Sequence, residues 1–544
     1  MILFLCCKYF FVKNVSKILL FSLMVLALYD CARKGRPEGG PKDEAAPILV
    51  TANPPNETIK FNKKKIRLYF DEYIVLKDLN KQLVVSPPMK NPPLITPQGT
   101  PSKYINIEIL DTLKQNTTYT FNFGNAVQDN NENNKLESFK YVFSTGDYID
   151  SLTLKGVVRD ALVEDLAKST SVLLYKLDST FTDSIIYKKK PLYVSNTLDS
   201  NNYQFTNLQK GNYLLLALKE ENNNYIFSSK TDKIAFSIDT ISLPRDSVVN
   251  KELVLFKELQ PYKFKRGKEV TKGRIQFGFE GEKTEMKINL LSEVPENFKA
   301  FTQFEKGKDT LNYWFTPIEQ DSLNFIVSNT NIKDTTTVFL RKKKIDSLNV
   351  LASANGNLHL NDTLFFNTNN PIVKTDDTKF SLVDKDTVAV KFQLKKEAIN
   401  KYVFHFNKEP SNKYTVKVLP NAFTDIYNTT NDSIKLSLKT KAIDDYGSII
   451  LEIENQTESP IILELLSKSK EVVSKKYIKD LNKVEFSLLE PQTYTVRAII
   501  DTNKNNKWDT GDFLQKFQPE QIIYFDKELK IRANWVVNET FTIK

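Results

Sequence analysis

The densest set of ligand-type side chains in this sequence is Asp501-Thr502-Asn503-Lys504-Asn505-Asn506-Lys507-Trp508-Asp509-Thr510-Gly511-Asp512. With Asp501 as the first position, side-chain oxygens fall at positions 1, 3, 5, 9 and 12, and Lys507 at position 7 offers a backbone carbonyl. Oxygens on alternate residues, followed by a carbonyl, let a short loop wrap a hard cation, and Ca²⁺ takes about six to eight oxygen ligands. The order is that of an EF-hand-type loop with two changes. Asn506 stands where glycine is usual, although Asn also enters the left-handed region, and Asp512 replaces the longer Glu. Two readings fit. One is a structural calcium held by Asp501, Asn503, Asn505, Lys507, Asp509 and Asp512. The other is an Asn/Asp-rich hairpin whose side chains cap their own backbone. A weaker echo begins at Asp129, with Asn131, Asn133 and Glu137 in step but Lys140 at the twelfth position, and a polar turn is expected there.

No catalytic set accompanies these loops. The two histidines, His359 and His405, sit in alternating patterns (NLHLND and VFHFN) beside no Ser or Cys motif, and strand positions are expected for both. The sequence has no Gly-x-Ser-x-Gly elbow, His-Glu-x-x-His or phosphate loop. Asp71-Glu72 and Asp444-Asp445 are adjacent, so on strands they face opposite ways and cannot flank one bond. Trp314, Trp508 and Trp535 could carry sugars, but packing is the expected role. No cofactor other than the calcium is implied. A non-enzymatic role is expected. The alternative is a hydrolase or accessory in envelope polysaccharide processing, which would need a catalytic segment that only 259–345 leaves room for.

The address is written in the first fifty residues. Lys8, Lys13 and Lys17 precede an apolar run from Ile18 to Tyr29, the pattern of a secretory signal. Cys31 follows directly in Leu28-Tyr29-Asp30-Cys31, which resembles a bacterial lipoprotein signal with Leu28 in its apolar position. That resemblance implies cleavage before Cys31 and its acylation; several chains on one residue suffice for stable anchoring. The stretch after it, ARKGRPEGGPKDEAAP, is rich in Gly and Pro and reads as a flexible tether. Cys6 and Cys7 lie inside the leader, so no disulfide is expected and stability must come from packed cores. A membrane partner through lipidated Cys31 follows, with an outer-membrane location and the facing side of that membrane left open.

The formal net charge is +10, but its lysines are scattered in short runs such as Lys188-Lys189-Lys190, without a nucleic-acid motif. Nucleic acid is not an expected partner; an envelope protein or glycan is. At 544 residues the chain needs several domains, and 41% apolar residues allow each a core. Period-two alternation supplies them: Ile66, Leu68 and Phe70; Ile105, Ile107 and Ile109; Tyr119, Phe121 and Phe123; Ile449, Leu451 and Ile453; Tyr494, Val496, Ala498 and Ile500. Such runs are half-buried strands. Helical periodicity is confined to brief turns such as Glu397 to Asn400.

Internal repetition divides the chain. Asn125-Ala126-Val127-Gln128-Asp129 recurs as Asn421-Ala422-Phe423-Thr424-Asp425, and Phe205, Leu208 and Tyr213 recur at identical spacing as Phe486, Leu489 and Tyr494. The order is A-B-x-A-B. Pro54-Pro55-Asn56, Ile66-Arg67-Leu68-Tyr69-Phe70-Asp71-Glu72 and Leu113-Lys114-Gln115-Asn116-Thr117-Thr118-Tyr119 resemble the SbsA-type bacterial immunoglobulin-like domain. Leu208, Gly211 and Tyr213 are similar to the Leu-x-x-Gly-x-Tyr turn of transthyretin-like and carboxypeptidase-regulatory-like sandwiches; the second copy has Gln492 in place of the Gly. The resemblance implies an all-β protein: several immunoglobulin-like β-sandwich domains in series after a lipoprotein signal peptide, in a Gram-negative envelope lipoprotein. The expected divisions are a signal peptide at 1–30, a tether at 31–46, an SbsA-type domain at 47–147 and a transthyretin-like sandwich at 148–258. A β-rich domain at 259–345, a second Ig-like repeat at 346–443 and a second transthyretin-like sandwich at 444–544 follow.

Overall fold

Alternating apolar residues become strands because one face can then leave water while every backbone group pairs laterally. The computed structural model describes residues 43–281, 286–329, 332–479 and 482–544. Cys31, the apolar run before it and most of the tether lie outside the described residues. Strand Lys65–Leu76 buries Ile66, Leu68 and Phe70, exposes Lys65 and Arg67 and leaves Tyr69 half-buried. Ile105 and Ile107 from Ser102–Glu108, and Tyr119, Phe121 and Phe123 from Thr118–Gly124, close on the same core. Each such buried side chain contributes about 1.5–3 kcal/mol. Phe143 is stacked on Phe61 at 3.9 Å in its centre.

Among the described residues, strands pair within five successive units of two main sheets each, with a further two-stranded sheet, Ile372–Thr375 and Phe423–Asp425, in the fourth. In the first, one sheet runs Leu49–Asn53, Lys65–Leu76, Ser102–Glu108, Leu94–Thr96, with Val127–Asp129 on the far end of the second strand. The other runs Val84–Ser86, Thr118–Gly124, Phe139–Ser144. The fourth unit repeats this pairing. Val350–Ala352, Leu364–Thr368, Lys401–Phe406 and Phe392–Ala398 form one sheet, and Phe380–Val383, Lys413–Val418 and Ile434–Lys439 lie in the other. Phe392–Ala398 is thus extended to its end, where Ala398 pairs with Lys401, so the helical turn expected at Glu397 is a hairpin instead.

The second and fifth units share a different plan. Leu152–Asp160 lies between Asn202–Leu208 and a parallel final strand, Asn250–Leu255. Gly447–Asn455 likewise lies between Lys483–Leu489 and a parallel Val536–Ile543. The third unit packs Arg274–Glu280 and Thr310–Phe315 against Ser322–Ser328. The tyrosines of the sequence repeats make matching hydrogen bonds. Tyr119 and Tyr414 hydroxyls accept from the N–H of Lys114 and Glu409, five residues earlier. Tyr213 and Tyr494 hydroxyls donate to the carbonyls of Gln209 and Glu490, four residues earlier. Among the described residues the one α-helix is a single turn, Leu79–Gln82, and no helix is long and apolar enough to cross a membrane.

Candidate functional site

The calcium-type loop joins two strands of the fifth unit, Thr493–Ile500 and Ile522–Tyr524. Its first residue closes it. Asp501 is 1% exposed, and its two carboxylate oxygens accept from the N–H groups of Asn505 and Asn506 at 3.0 and 2.8 Å. Lys504 and Asn506 take φ of 61° and 62°, so the chain turns twice through the left-handed region. Asn506 therefore does the work of the missing glycine. Asn503 and Asn505 both direct their side-chain amides at Oδ2 of Asp509. Lys507 lies 3.8 Å from the other oxygen of that carboxylate.

Four of the six expected ligands, Asp501, Asn503, Asn505 and Asp509, are thereby drawn into one turn. As placed, amide N–H groups answer the carboxylates. Rotating the two amides by half a turn would bring their carbonyl oxygens to Asp509 but would turn their NH2 groups onto the N–H groups of Asn505 and Lys507, which donate to Oδ1 of Asn503 and Asn505 at 3.1 and 2.9 Å. Asp512 is not among them, because its carboxylate accepts from the N–H of Gln515 at 2.8 Å, in the following turn. Among the described residues no group of three or more His, Cys, Asp or Glu is placed so that it could hold a metal ion.

Glu520, eight residues past the expected end of the motif, closes the loop from the other side. It accepts from the N–H and hydroxyl of Thr502 at 2.8 and 2.9 Å and from the N–H of Asp509 at 3.1 Å. The Trp508 indole donates to the Glu520 carbonyl at 3.1 Å, and its ring packs on Ile462, Ile499 and Ile522. Sequence spacing pointed to a twelve-residue motif, and Glu520 lies beyond that window.

What the clamp holds is a tip that reaches another unit. Phe513 is 0% exposed, and its ring meets Phe236 of the second unit edge-on at 5.4 Å. It belongs to a cluster with Ile186, Leu216, Leu218, Phe227 and Phe256 on the outer side of that unit's larger sheet. Polar contacts fix its depth. The Phe513 N–H donates to Glu258 Oε1 at 2.9 Å, the Thr510 hydroxyl to the Lys257 carbonyl at 2.7 Å, and the Gln518 amide to the Phe236 carbonyl at 2.9 Å. Lys516 pairs with Asp183 at 2.7 Å and lies over the Phe513 ring. Gly511 is required here, since a Cβ would fall 2.7 Å from both the Phe256 ring and the Phe517 carbonyl oxygen. Burial pushes the Glu258 carboxyl above its usual range, despite the Phe513 N–H. Beside the loop, Tyr524 and Arg497 both donate to the carbonyl of Leu162, at 2.7 and 3.1 Å.

The other candidates resolve as structure. Asp129 is buried and takes the N–H groups of Asn131, Glu132, Asn133 and Asn134 on its carboxylate. Burial alone would raise its pKa, but those donors outweigh it and hold the group below the ordinary range. Asp425, its counterpart, accepts in the same way from Tyr427 and Thr429. His405 is an exposed strand residue. His359 is not on a strand: it donates from Nε2 to the Leu488 carbonyl at 2.8 Å and stands edge-on to Tyr446 at 4.8 Å, pinning the fourth unit to the fifth. Trp314 is buried, and Trp535 is exposed beneath Arg532.

Residues 43–145 match the family described as bacterial Ig-like domain. Similar solved structures include the major pilin subunit BcpA of Bacillus cereus, at 10% identity over 72% of this chain and 99% of that one, with a TM-score of 0.14. Domains 1–6 of the surface layer protein SbsC align at 12% identity over 90% of this chain and 68% of that one, with a TM-score of 0.15. No curated protein matches the chain.

Proposed function

We propose that this tandem array of Ig-like β-sandwiches is a non-enzymatic protein of the cell envelope, held to the outer membrane through a lipidated Cys31 and presenting binding surfaces to an envelope protein or glycan. The observation that carries the reading is the docking of loop 501–520 onto the second unit. Sandwiches joined only end to end sway about each junction. A contact between the second and fifth units closes the series on itself and turns it into a frame whose surfaces keep fixed distances. Such a frame, lifted from a membrane by the Gly- and Pro-rich tether, suits holding or scaffolding. The calcium at Asp501, Asn503, Asn505 and Asp509 belongs to the same proposal, as a brace for the loop that docks.

Fractionation of cells expressing Cys31→Ser tests the anchor. The variant is expected in the soluble fraction while the parent sediments with membranes, and equal membrane association of the two would defeat the proposal.

A further inference from the structure

The outward face of the first unit's larger sheet carries a grid of side chains that the core does not need. Strand register places Tyr69 opposite Tyr104, Arg67 opposite Asn106 and Lys65 opposite Glu108. Leu94–Thr96 and Leu49–Asn53 extend the face on either side, so it is four strands wide, about 15 Å at ~4.8 Å per strand. It forms a shallow depression of about 460 Å³. Tyr104 is 39% exposed, its ring 6.4 Å from that of Tyr69. The Arg67 guanidinium carbon lies 5.0 Å from the centre of the Tyr104 ring, and Arg67 donates from Nε to the Asn106 side-chain oxygen at 2.6 Å and from Nη1 to the Tyr69 hydroxyl at 3.5 Å.

Charge decides what this face fits. Lys63, Lys65 and Arg67 line the depression against one acid, Glu108, which pairs with Lys65 at 3.7 Å and leaves two positive charges in excess there. Flat aromatic rings suit the apolar faces of sugar rings, amide and carboxylate oxygens suit hydroxyls, and a held guanidinium suits a carboxylate through two parallel hydrogen bonds. We infer that this face binds a strand of acidic, carboxylate-bearing polysaccharide, with Tyr69, which lines the depression, as the stacking platform, Arg67 as the anion contact and Tyr104 as the ring that props the Arg67 guanidinium. This deepens the envelope reading above, since it names the class of glycan and the unit that takes it.

The test is binding of the full chain, purified in detergent, to soluble polygalacturonate, with amylose as the neutral sugar and polyglutamate as the sugar-free polyanion. Polygalacturonate is expected to bind best. Tyr69→Ala with Tyr104→Ala, and separately Arg67→Gln, should each weaken that binding roughly tenfold, the loss of a central contact. Lys188→Ala with Lys189→Ala, which removes two exposed charges elsewhere against the one lost in Arg67→Gln, should leave it intact. The altered side chains are exposed or, at Tyr69, half-buried outside the core, and unchanged melting of the variants confirms their folding. The inference is overturned if polygalacturonate does not bind, if the Tyr pair or Arg67→Gln leaves binding unchanged, or if amylose or polyglutamate binds as tightly. The assay contains no membrane, so it can fail while Cys31 anchoring stands, and succeed if the anchor proves wrong.

Discussion

The second and fifth units carry the same loop put to two uses. After the strand Gly211–Lys219 comes Glu220, and after Thr493–Ile500 comes Asp501, at the offset that also relates Phe205 to Phe486 and Tyr213 to Tyr494. Glu220 accepts from the N–H groups four and five residues on, Asn224 and Tyr225, as Asp501 does from Asn505 and Asn506. The left-handed residues match as well: Asn223 and Tyr225 in one loop, Lys504 and Asn506 in the other. Even the aromatic residue is kept, Phe227 for Trp508. Beyond that point they part. The first loop turns back, and Phe227 is buried on its own sheet. The second continues through Gly511 and delivers Phe513 to that same cluster. The duplicated acid fixes the loop's root, and the tip alone decides whether the loop covers its own unit or joins two.

Truncating the two aromatics should separate those uses, and this is the largest effect expected. Phe→Ala at a fully buried site costs about 3–5 kcal/mol. At Phe513 the loss falls on the docking, so Phe513→Ala should leave the five sandwiches folded but raise the radius of gyration in small-angle scattering. At Phe227 it falls on the second unit, so Phe227→Ala should lower the melting temperature. An unchanged radius of gyration in Phe513→Ala would mean that the units hold their places without the loop, and the frame argument would fail.

Removing the acids comes next. Each accepts two backbone N–H groups, Asp501 fully buried and Glu220 half-buried, and leaving such donors unpaired costs about 1–3 kcal/mol where they are buried. Asp501→Ala should destabilise its unit by more than Glu220→Ala does, measured by calorimetry, because burial raises the pKa of the Glu220 carboxyl and so offsets part of what its hydrogen bonds contribute. Calcium should then tell the loops apart, because Ser228 stands in the first loop where the second has Asp509. Millimolar Ca²⁺ is expected to raise the melting temperature of the parent and of Glu220→Ala, through binding to the folded state. It should do nothing for Asp501→Ala. A parent that ignores Ca²⁺ would reduce the loop to a self-capped hairpin.

How much of this the sequence discloses depends on the range of the interaction. Alternation at Ile66–Phe70 and Ile105–Ile109 marks strands because one face of one strand is a local matter. Turn chemistry at Asp129 was legible for the same reason. The partner of Phe513 was not: a period of two says which face is buried, never which sandwich covers it, and Glu258 and Phe236 lie far off in the chain. Glu520 was hidden by the length of the motif sought, and the kinship of Glu220 with Asp501 by the exchange of one acid for the other. The repeat of Phe205 and Tyr213, carried seven residues further, would have exposed it. His359 misled because the alternation of NLHLND continues past the end of its short strand, Gly356–Asn357.

The smallest effect tests the docked tip without removing it. Glu258 accepts from the Phe513 N–H, and burial raises its carboxyl pKa, with Asp512 pushing the same way; the N–H and Lys257 pull it down without reversing the shift. A raised carboxyl means that the docked state holds its proton more tightly than the open one. Docking should therefore weaken as pH climbs from about 4.5, the ordinary value, through the raised one, and then level off. Glu258→Gln keeps an oxygen for the Phe513 N–H and removes the charge. At neutral pH it should tighten docking slightly, within about 0.5 kcal/mol, and flatten the pH dependence. Scattering measured from pH 4 to 8 reads both. A variant that opens at neutral pH would show that the charged carboxylate, not the buried ring, holds the tip, and the comparison between Phe513 and Phe227 would lose its basis.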